Sequence, residues 1–294
     1  MKSILILGCG YVGLRAARLF HRAGWRVTGV TRSPASAAAL AAEPFPVLPC
    51  DISTPGALAA ISELHHPSAL ISAVSSGRGG EDTYRAVYLH GLANAIAELR
   101  PARLLFTSST SVYAQTDGSL VTEHSPADPA SPTSRILRET EDLALRHAGL
   151  VARLAGIYGP GRSILLRKFL DHTARIEAGG ARHINQIHAD DAASALFHLI
   201  ATGAPPGIYN VSDDTPITQL ALYQWLSTHL HQPLSPPGNP DPARKRGVTD
   251  KRVSNARLKS LGWTPAYPSF QQALIHDPLL LQAARADGTG DAPP

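Results

Sequence analysis

The first residues that could do chemistry are glycines. Gly8-Cys9-Gly10-Tyr11-Val12-Gly13 directly follows the apolar run at 3–7 and opens an amphipathic stretch over 12–23. An apolar run bounded by glycine predicts a buried strand, and Val12, Ala16, Leu19 and Phe20 recur near one helical face. Between a strand and a helix, the GxGxxG spacing has a mechanical meaning. Gly8 permits the tight turn, Gly10 lets backbone approach a pyrophosphate, and Gly13 lets helix and strand pack closely. The free amides at the helix start, around Gly10, Tyr11, Val12 and Gly13, then face the phosphates. The alternative, a plain glycine-rich turn, does not account for the strand in front and the helix behind.

The end of the second strand selects the dinucleotide. An NAD site places Asp or Glu there, about 20 residues past the loop, to bind the ribose 2′-OH. Here the chain reads Gly29-Val30-Thr31-Arg32-Ser33, with no acid. Arg32 can pair with a 2′-phosphate, helped by the hydroxyls of Thr31 or Ser33, so NADP is expected in preference to NAD. Asp51, just past the third strand, can meet the adenine amino group or can simply close an Asx turn. Ala73, at the end of the fourth strand, joins the cofactor side.

The elements that must hold these residues alternate. Strands are predicted at 3–7, 26–31, 45–48, 68–74, 103–107 and 150–155, and helices at 12–23, 34–42, 55–64, 81–99 and 133–147. Strand–helix alternation with short joints predicts an α/β fold, a parallel sheet covered on both faces. Right-handed crossovers make it a Rossmann, doubly wound sheet. The second half is less regular, with helices predicted at 162–178, 188–201, 217–230 and 254–261, a strand at 207–211 and a proline-rich loop at 232–243. The expected organisation is an NADP-binding domain at 1–160, completed by 187–211. A smaller C-terminal substrate lobe is expected from 161–186 and 212–282, with a flexible tail at 283–294.

Composition excludes several classes. The 294 residues are 44% hydrophobic and 17% charged, which is globular rather than disordered. No run of about 18 apolar residues exists, so no membrane span is expected. The N-terminus lacks a small-residue cleavage site and reads as a strand, which makes a cytoplasmic protein the expectation. Two cysteines, Cys9 and Cys50, make neither a disulfide framework nor a zinc site, and His65-His66 reads as loop, so no metal is expected. The net charge of +4 is dispersed, and the basic run Arg244-Lys245-Arg246 has no interleaved aromatics, so nucleic acid is not an expected partner. Of the 27 Lys and Arg, five are lysine, and none of those lies between Lys2 and Lys168.

Several further motifs carry a family likeness: TSSTSVY at 107–113, ARLAGIYGPGR at 152–162, IHADDAASAL at 187–196, GIYNVSDD at 207–214 and SNARLKSLGWTP at 254–265. With the glycine loop they make the chain resemble the extended short-chain dehydrogenase/reductases, the group of NAD-dependent epimerases and dehydratases, over about residues 2–280. An atypical subgroup is the best match. The resemblance implies a Ser or Thr after strand five, which falls at Ser109, and a Tyr-x-x-x-Lys pair on the next helix. There the chain reads Ser131-Pro132-Thr133-Ser134-Arg135, with Glu139 following in frame. Ser131 stands for the tyrosine and Arg135 for the lysine, and no tyrosine or lysine lies between Tyr113 and Tyr158 to realign. Arg135 can hydrogen-bond the cofactor ribose and keep a positive field, but with a pKa above about 12 it cannot shuttle a proton.

Tyr113, Tyr158 and His188 are the candidate replacements for the missing acid, each with a packing role as its alternative. On the substrate side Arg162, Arg246, Lys251 and Arg252 are candidates to clamp a diphosphate, and Arg78 sits in the SSGRGG stretch where a lid would lie. Helices 81–99 and 133–147 imply a homodimer by the same resemblance. The expected function is an NAD(P)-dependent oxidoreductase or epimerase with an altered site, acting on a nucleotide-sugar or another small carbonyl or hydroxyl compound. The alternative is a non-catalytic NADP(H)-binding sensor or regulatory protein.

Overall fold

The structure, a computed structural model, describes residues 2–61, 67–77, 79–239 and 249–286. Its centre is a seven-stranded parallel sheet of β1 (Ser3–Leu7), β2 (Arg26–Thr31), β3 (Val47–Pro49), β4 (Ala69–Ser72), β5 (Leu104–Ser109), β6 (Leu150–Leu154) and β7 (Gly207–Val211). The spatial order is β7-β6-β5-β4-β1-β2-β3. Strand order reverses at β1, whose neighbours are β2 and β4 in register Leu5 with Thr28 and Leu70. A crevice opens at the carboxyl ends of the strands at such a reversal, and ligands of open α/β sheets bind there.

The sheet forms because its strands are apolar on both faces, as a parallel sheet covered on two sides requires. Alternate residues point to opposite faces. Ile4, Ile6, Ile71 and Leu105 join one core, while Leu5, Leu7, Leu70 and Phe106 join the other. The first core is closed by helices Gly13–Arg22 and Ala189–Ala201, which meet through Ala16, Ala17, Ala192, Ala193 and Ala195, all fully buried. Small side chains let those helices approach closely. The second core is closed by helices Gly91–Leu99 and Pro132–Arg146.

A third core, with Tyr158, Leu166, Phe169, Tyr223, Leu226 and Phe270, builds the C-terminal lobe. Short parallel pairs stitch the lobe to the sheet: Ser119–Val121 with Lys251–Val253, and Gly156–Tyr158 with Gln186–His188. Several elements differ from the sequence expectation. The helix expected at 162–178 spans Ile164–Leu170, because His172 takes a left-handed φ of 56° and the chain then runs into a short strand, Ile176–Glu177. The helix expected at 81–99 is interrupted by a π-helical stretch, Arg85–His90. Residues 55–58 are turns rather than helix, and 62–66 lie outside the described residues. Helices Phe270–His276 and Pro278–Ala286 had no counterpart in the sequence reading. Among the described residues no helix is long and apolar enough to cross a membrane, and no group of three or more His, Cys, Asp or Glu could hold a metal.

One buried ion pair ties helix Pro132–Arg146 to the sheet. Arg153 of β6 is 1% exposed and Glu141 is fully buried. The guanidinium donates from Nε to Glu141 Oε1 at 2.9 Å and from Nη2 to Oε2 at 2.6 Å, and Ser108 Oγ donates to Oε1 at 2.6 Å. The guanidinium also lies 4.7 Å from the Tyr113 ring centre. Breaking a buried pair leaves a charge with no partner, so Glu141→Ala should lower the unfolding free energy by about 3–5 kcal/mol. A joint Glu141→Leu, Arg153→Met replacement should recover most of that loss in urea titrations. A loss under about 1 kcal/mol for Glu141→Ala would mean the charge finds water instead.

Candidate functional site

The glycine loop has the geometry of a phosphate cradle. Gly8 has φ +89°, and a Cβ there would sit 2.6 Å from the Ala73 carbonyl oxygen and 2.7 Å from Val74 Cα. A Cβ on Gly13 would lie 2.1 Å from the Gly8 oxygen. Gly10 is exposed, and a Cβ on it would meet nothing within 4 Å. Two glycines are thus filled by packing and the middle one is open, which matches the three roles read from the spacing. Ala73 fixes the far wall, its amide donating to the Leu7 carbonyl at 2.7 Å. Val12 precedes the helix, and the first helical turn has no acid to compete with an anion. Cys9 is buried with its Sγ against Gly29, where a Cβ would come within 2.5 Å. Burial pushes its thiol up to about 12, so it is an inert packing group.

At the end of β2, Arg32 is exposed and has no polar partner among the described residues. Thr31 is 8% exposed and its hydroxyl has no hydrogen bond. Ser33 caps helix Pro34–Ala38, accepting from the Ser36 amide at 3.2 Å. Asp51 accepts from the Ser53 amide at 3.0 Å and the Ser53 hydroxyl at 2.6 Å, so its Asx turn is present.

Four serines lie along a chain of local contacts at the end of β5 and the start of helix Pro132–Arg146. Ser109 Oγ accepts from the Ser111 amide at 3.1 Å, and Ser134 Oγ lies 3.0 Å from Ser111 Oγ. Ser131 Oγ accepts from the Ser134 amide at 3.2 Å. Ser131 is the N-cap and Pro132 the first residue of helix Pro132–Arg146, so the residue in the tyrosine's place starts the helix instead of projecting from it. Arg135 is exposed and donates to the Ala130 carbonyl at 3.0 Å.

Three candidates lie in the interior. Tyr113 is fully buried, and its hydroxyl sits 3.0 Å from the Thr122 carbonyl and 2.8 Å from Asn210 Oδ1. Tyr158 is 2% exposed among His188 and Phe270, and burial followed by the Asp213 and Asp191 carboxylates holds its phenol well above the ordinary range. His188 is fully buried and caps helix Ala189–Ala201, its Nδ1 accepting from the Asp190 amide at 3.3 Å. Its Nε2 lies 3.3 Å from Asp277 Oδ2 without hydrogen-bond alignment. Burial lowers its pKa against the opposing Asp190, Asp191 and Asp277. None of the three offers a polar atom to a substrate in this geometry. Each is enclosed by side chains from distant parts of the chain, polar ones included: Asn210 and Arg153 around Tyr113, and Asp277 beside His188. Arg162 lies 5.4 Å from the ring centre of Tyr11. Arg78 and Arg246 lie outside the described residues.

Two features were not legible in the sequence. Tyr11 donates its hydroxyl to the Pro160 carbonyl at 2.9 Å, a contact across 149 positions that no local pattern signals. Lys251 is 5% exposed, its ammonium donating to the Tyr113 carbonyl at 3.0 Å and to Thr249 Oγ1 at 2.6 Å. It braces the turn after Ser109 from the lobe instead of facing solvent. Burial, with Arg182 nearby, lowers it to about 8.

The sequence model of the NAD dependent epimerase/dehydratase family matches residues 4–212. Protein YeeZ of Escherichia coli K12 is 29% identical over 288 residues, covering 91% of this chain and 97% of YeeZ. A solved structure from Methylobacillus flagellatus, named for the same kind of epimerase/dehydratase, superimposes with a TM-score of 0.77 at 28% identity, covering 97% of this chain and 99% of its own. The UDP-glucose 4-epimerase of Thermotoga maritima, solved with UDP-glucose, has a TM-score of 0.79 at 19% identity, over 97% of this chain and 99% of its own, and shows a shared fold.

The buried Lys251 sets a pH dependence with a defined sign. Its ordinary value is 10.5 and its folded value about 8, so between those limits the unfolded chain binds more protons than the folded one. Stability from this group therefore rises as pH rises through that window. The stability of the parent relative to Lys251→Met should increase by on the order of 3 kcal/mol between pH 7 and pH 10.5 in urea titrations. A constant difference would mean the ammonium is not desolvated.

Proposed function

The chain belongs to the NAD dependent epimerase/dehydratase family, and from that premise we propose that it is an NADP-binding protein of the oxidoreductase or epimerase type with a rebuilt reactive centre. The observation that carries this reading is the cradle from Gly8 to Gly13, closed at both ends by packing and open at Gly10. The residues present fit a dinucleotide. The cradle admits backbone-to-phosphate contact, and the Thr31 hydroxyl and Arg32, which have no hydrogen-bond partner among the described residues, would meet a 2′-phosphate. Asp51 keeps one carboxylate oxygen for the adenine edge, and Ala73 walls the crevice.

A bound nicotinamide dinucleotide supplies or accepts hydride at its nicotinamide. The chain's own work is to hold the reacting oxygen and manage its proton. Ser109 would bind that oxygen of a nucleotide-sugar or other small carbonyl or hydroxyl compound. The Ser111 amide would hold the Ser109 hydroxyl in place, and the proton would pass between the reacting oxygen and solvent at the part-exposed Ser109. Arg135 would contribute a fixed positive charge near the ribose. Tyr113, Tyr158 and His188 are left out of the reaction because they are enclosed. Pairing of two chains through helices 81–99 and 132–146 belongs to the same reading, and a monomeric mass in light scattering at micromolar concentration would remove it.

A second reading, a non-catalytic NADP(H) sensor or regulatory protein, is favoured by one observation. The hydroxyl cluster at Ser109 contains no side chain able to store a proton near neutrality. NADPH consumption against a panel of carbonyls and nucleotide-sugars separates the two. The enzyme reading expects turnover that falls at least ten-fold in Ser109→Ala while NADPH affinity is retained. NADPH binding with no turnover on any member supports the sensor.

The cofactor preference has its own measurement. Removing a charge-assisted contact to the 2′-phosphate should make Arg32→Ala weaken NADPH binding roughly ten-fold or more and leave NADH binding within about two-fold. Equal affinities of the parent for both nucleotides would refute the preference.

A further inference from the structure

The turn after β6 brings an arginine to the phosphate loop. Gly159-Pro160-Gly161-Arg162 closes a tight turn, with the Gly159 amide donating to the Arg162 carbonyl at 3.2 Å and the Arg162 amide to the Gly159 carbonyl at 2.9 Å. Proline at the first central position and Gly161 at φ +72° fit a type II turn. The turn is pressed against Tyr11. The tyrosine hydroxyl donates to Pro160, and a Cβ on Gly159 would come within 2.6 Å of Tyr11 Oη.

Tyr11 lies inside the glycine loop, between Gly10 and Val12, and two guanidiniums flank its ring. Arg15 lies 4.2 Å from the ring centre and Arg162 5.4 Å. Both distances suit cation–π contact. Their charges differ in availability. Arg15 is neutralised by Asp190 at 2.9 Å and also donates to the Tyr11 carbonyl at 2.7 Å. Arg162 is exposed and has no carboxylate partner among the described residues. The loop thus carries one uncompensated positive charge beside free amides at a helix start without acids. Ser109 stands on β5, two strands away from β1 across β4. At about 4.8 Å per strand, that puts the reacting oxygen roughly 10 Å from the loop that Arg162 overhangs.

We infer that Arg162 is a ligand of the cofactor pyrophosphate, delivered to the glycine loop from the substrate side of the cleft, and not a clamp for substrate. The inference rests on the dinucleotide reading above. It assigns Tyr11 a positioning role: its ring seats the guanidinium and its hydroxyl locks the turn that carries it. It also makes dinucleotide binding hold the Gly159–Arg162 turn in place, so cofactor occupancy shapes the substrate side before any substrate arrives.

The experiment is a fluorescence titration of full-length parent, Arg162→Gln and Arg162→Lys with NADPH and with NADH, using inorganic pyrophosphate and adenosine 2′-monophosphate as competitors. A pyrophosphate contact is common to both dinucleotides. Arg162→Gln should therefore weaken NADPH and NADH by the same factor, roughly ten-fold. Arg162→Lys should lose less, because it keeps the charge but not the fork. Pyrophosphate competition should weaken in Arg162→Gln, while competition by adenosine 2′-monophosphate should be unchanged, which also shows that the variant is folded. Parent-like affinity of Arg162→Gln for both dinucleotides would overturn this inference and leave the dinucleotide reading standing. A parent that binds neither dinucleotide would overturn both.

Discussion

The structure depends on how closely helix Gly13–Arg22 approaches β1. The gap admits no side chain at Gly13, whose Cβ would sit 2.1 Å from the Gly8 oxygen. That approach sets the depth of the first core, where Ala16 and Ala17 meet the alanines of helix Ala189–Ala201. It also turns the helix start, with its amides, toward the strand ends. A bulkier residue at 13 would push the helix off the sheet, and its partner helix would lose contact. Fold and cradle are therefore one constraint, satisfied by two glycines five residues apart.

The same economy explains why the cofactor side was legible in the sequence and the reactive side was not. The glycine loop, the arginine after β2 and the strand alternation are local patterns. Each is fixed by spacing within about 30 residues, the reach of one βαβ unit. Tyr113, Tyr158 and His188 are enclosed by residues far away in the sequence. Ser131 caps a helix because proline follows it, a local signal that was present in Ser131-Pro132 but outweighed by the frame of the motif. The two tyrosines and the histidine sit beside informative motifs, yet all three are buried, in contact with Asn210, Phe270 and Asp277. Proximity in a motif indicates which strand end a residue occupies. It does not indicate whether the side chain points into the cleft or the core.

Lobe elements were the least legible for a related reason. Pairs such as Ser119–Val121 with Lys251–Val253 are three residues long and contribute too little periodicity to be read. What holds them is tertiary: the Lys251 ammonium on the Tyr113 carbonyl, and Asn185, which donates to the Lys251 carbonyl and accepts from the Val253 amide. These contacts brace the turn that follows Ser109, so the end of β5 is positioned from the far end of the chain.

Arginine takes different roles in this protein according to what surrounds it. Arg153 is enclosed and paired bidentately with Glu141 through Nε and Nη2, so its charge serves the fold. Arg15 is occupied by Asp190, so its charge serves the loop it stiffens. Arg32 and Arg162 are exposed and have no carboxylate partner among the described residues. Arg32 follows β2, and Arg162 reaches the ring of Tyr11 inside the glycine loop. Arg135 stands apart from that pair, on a helix start, where a group that cannot release a proton replaces one that could. On the proposed reading, such a centre would hold anions and a fixed field over a nicotinamide, and would leave proton delivery to hydroxyls and water, so its reaction would have to tolerate a proton arriving from solvent rather than from a tuned side chain.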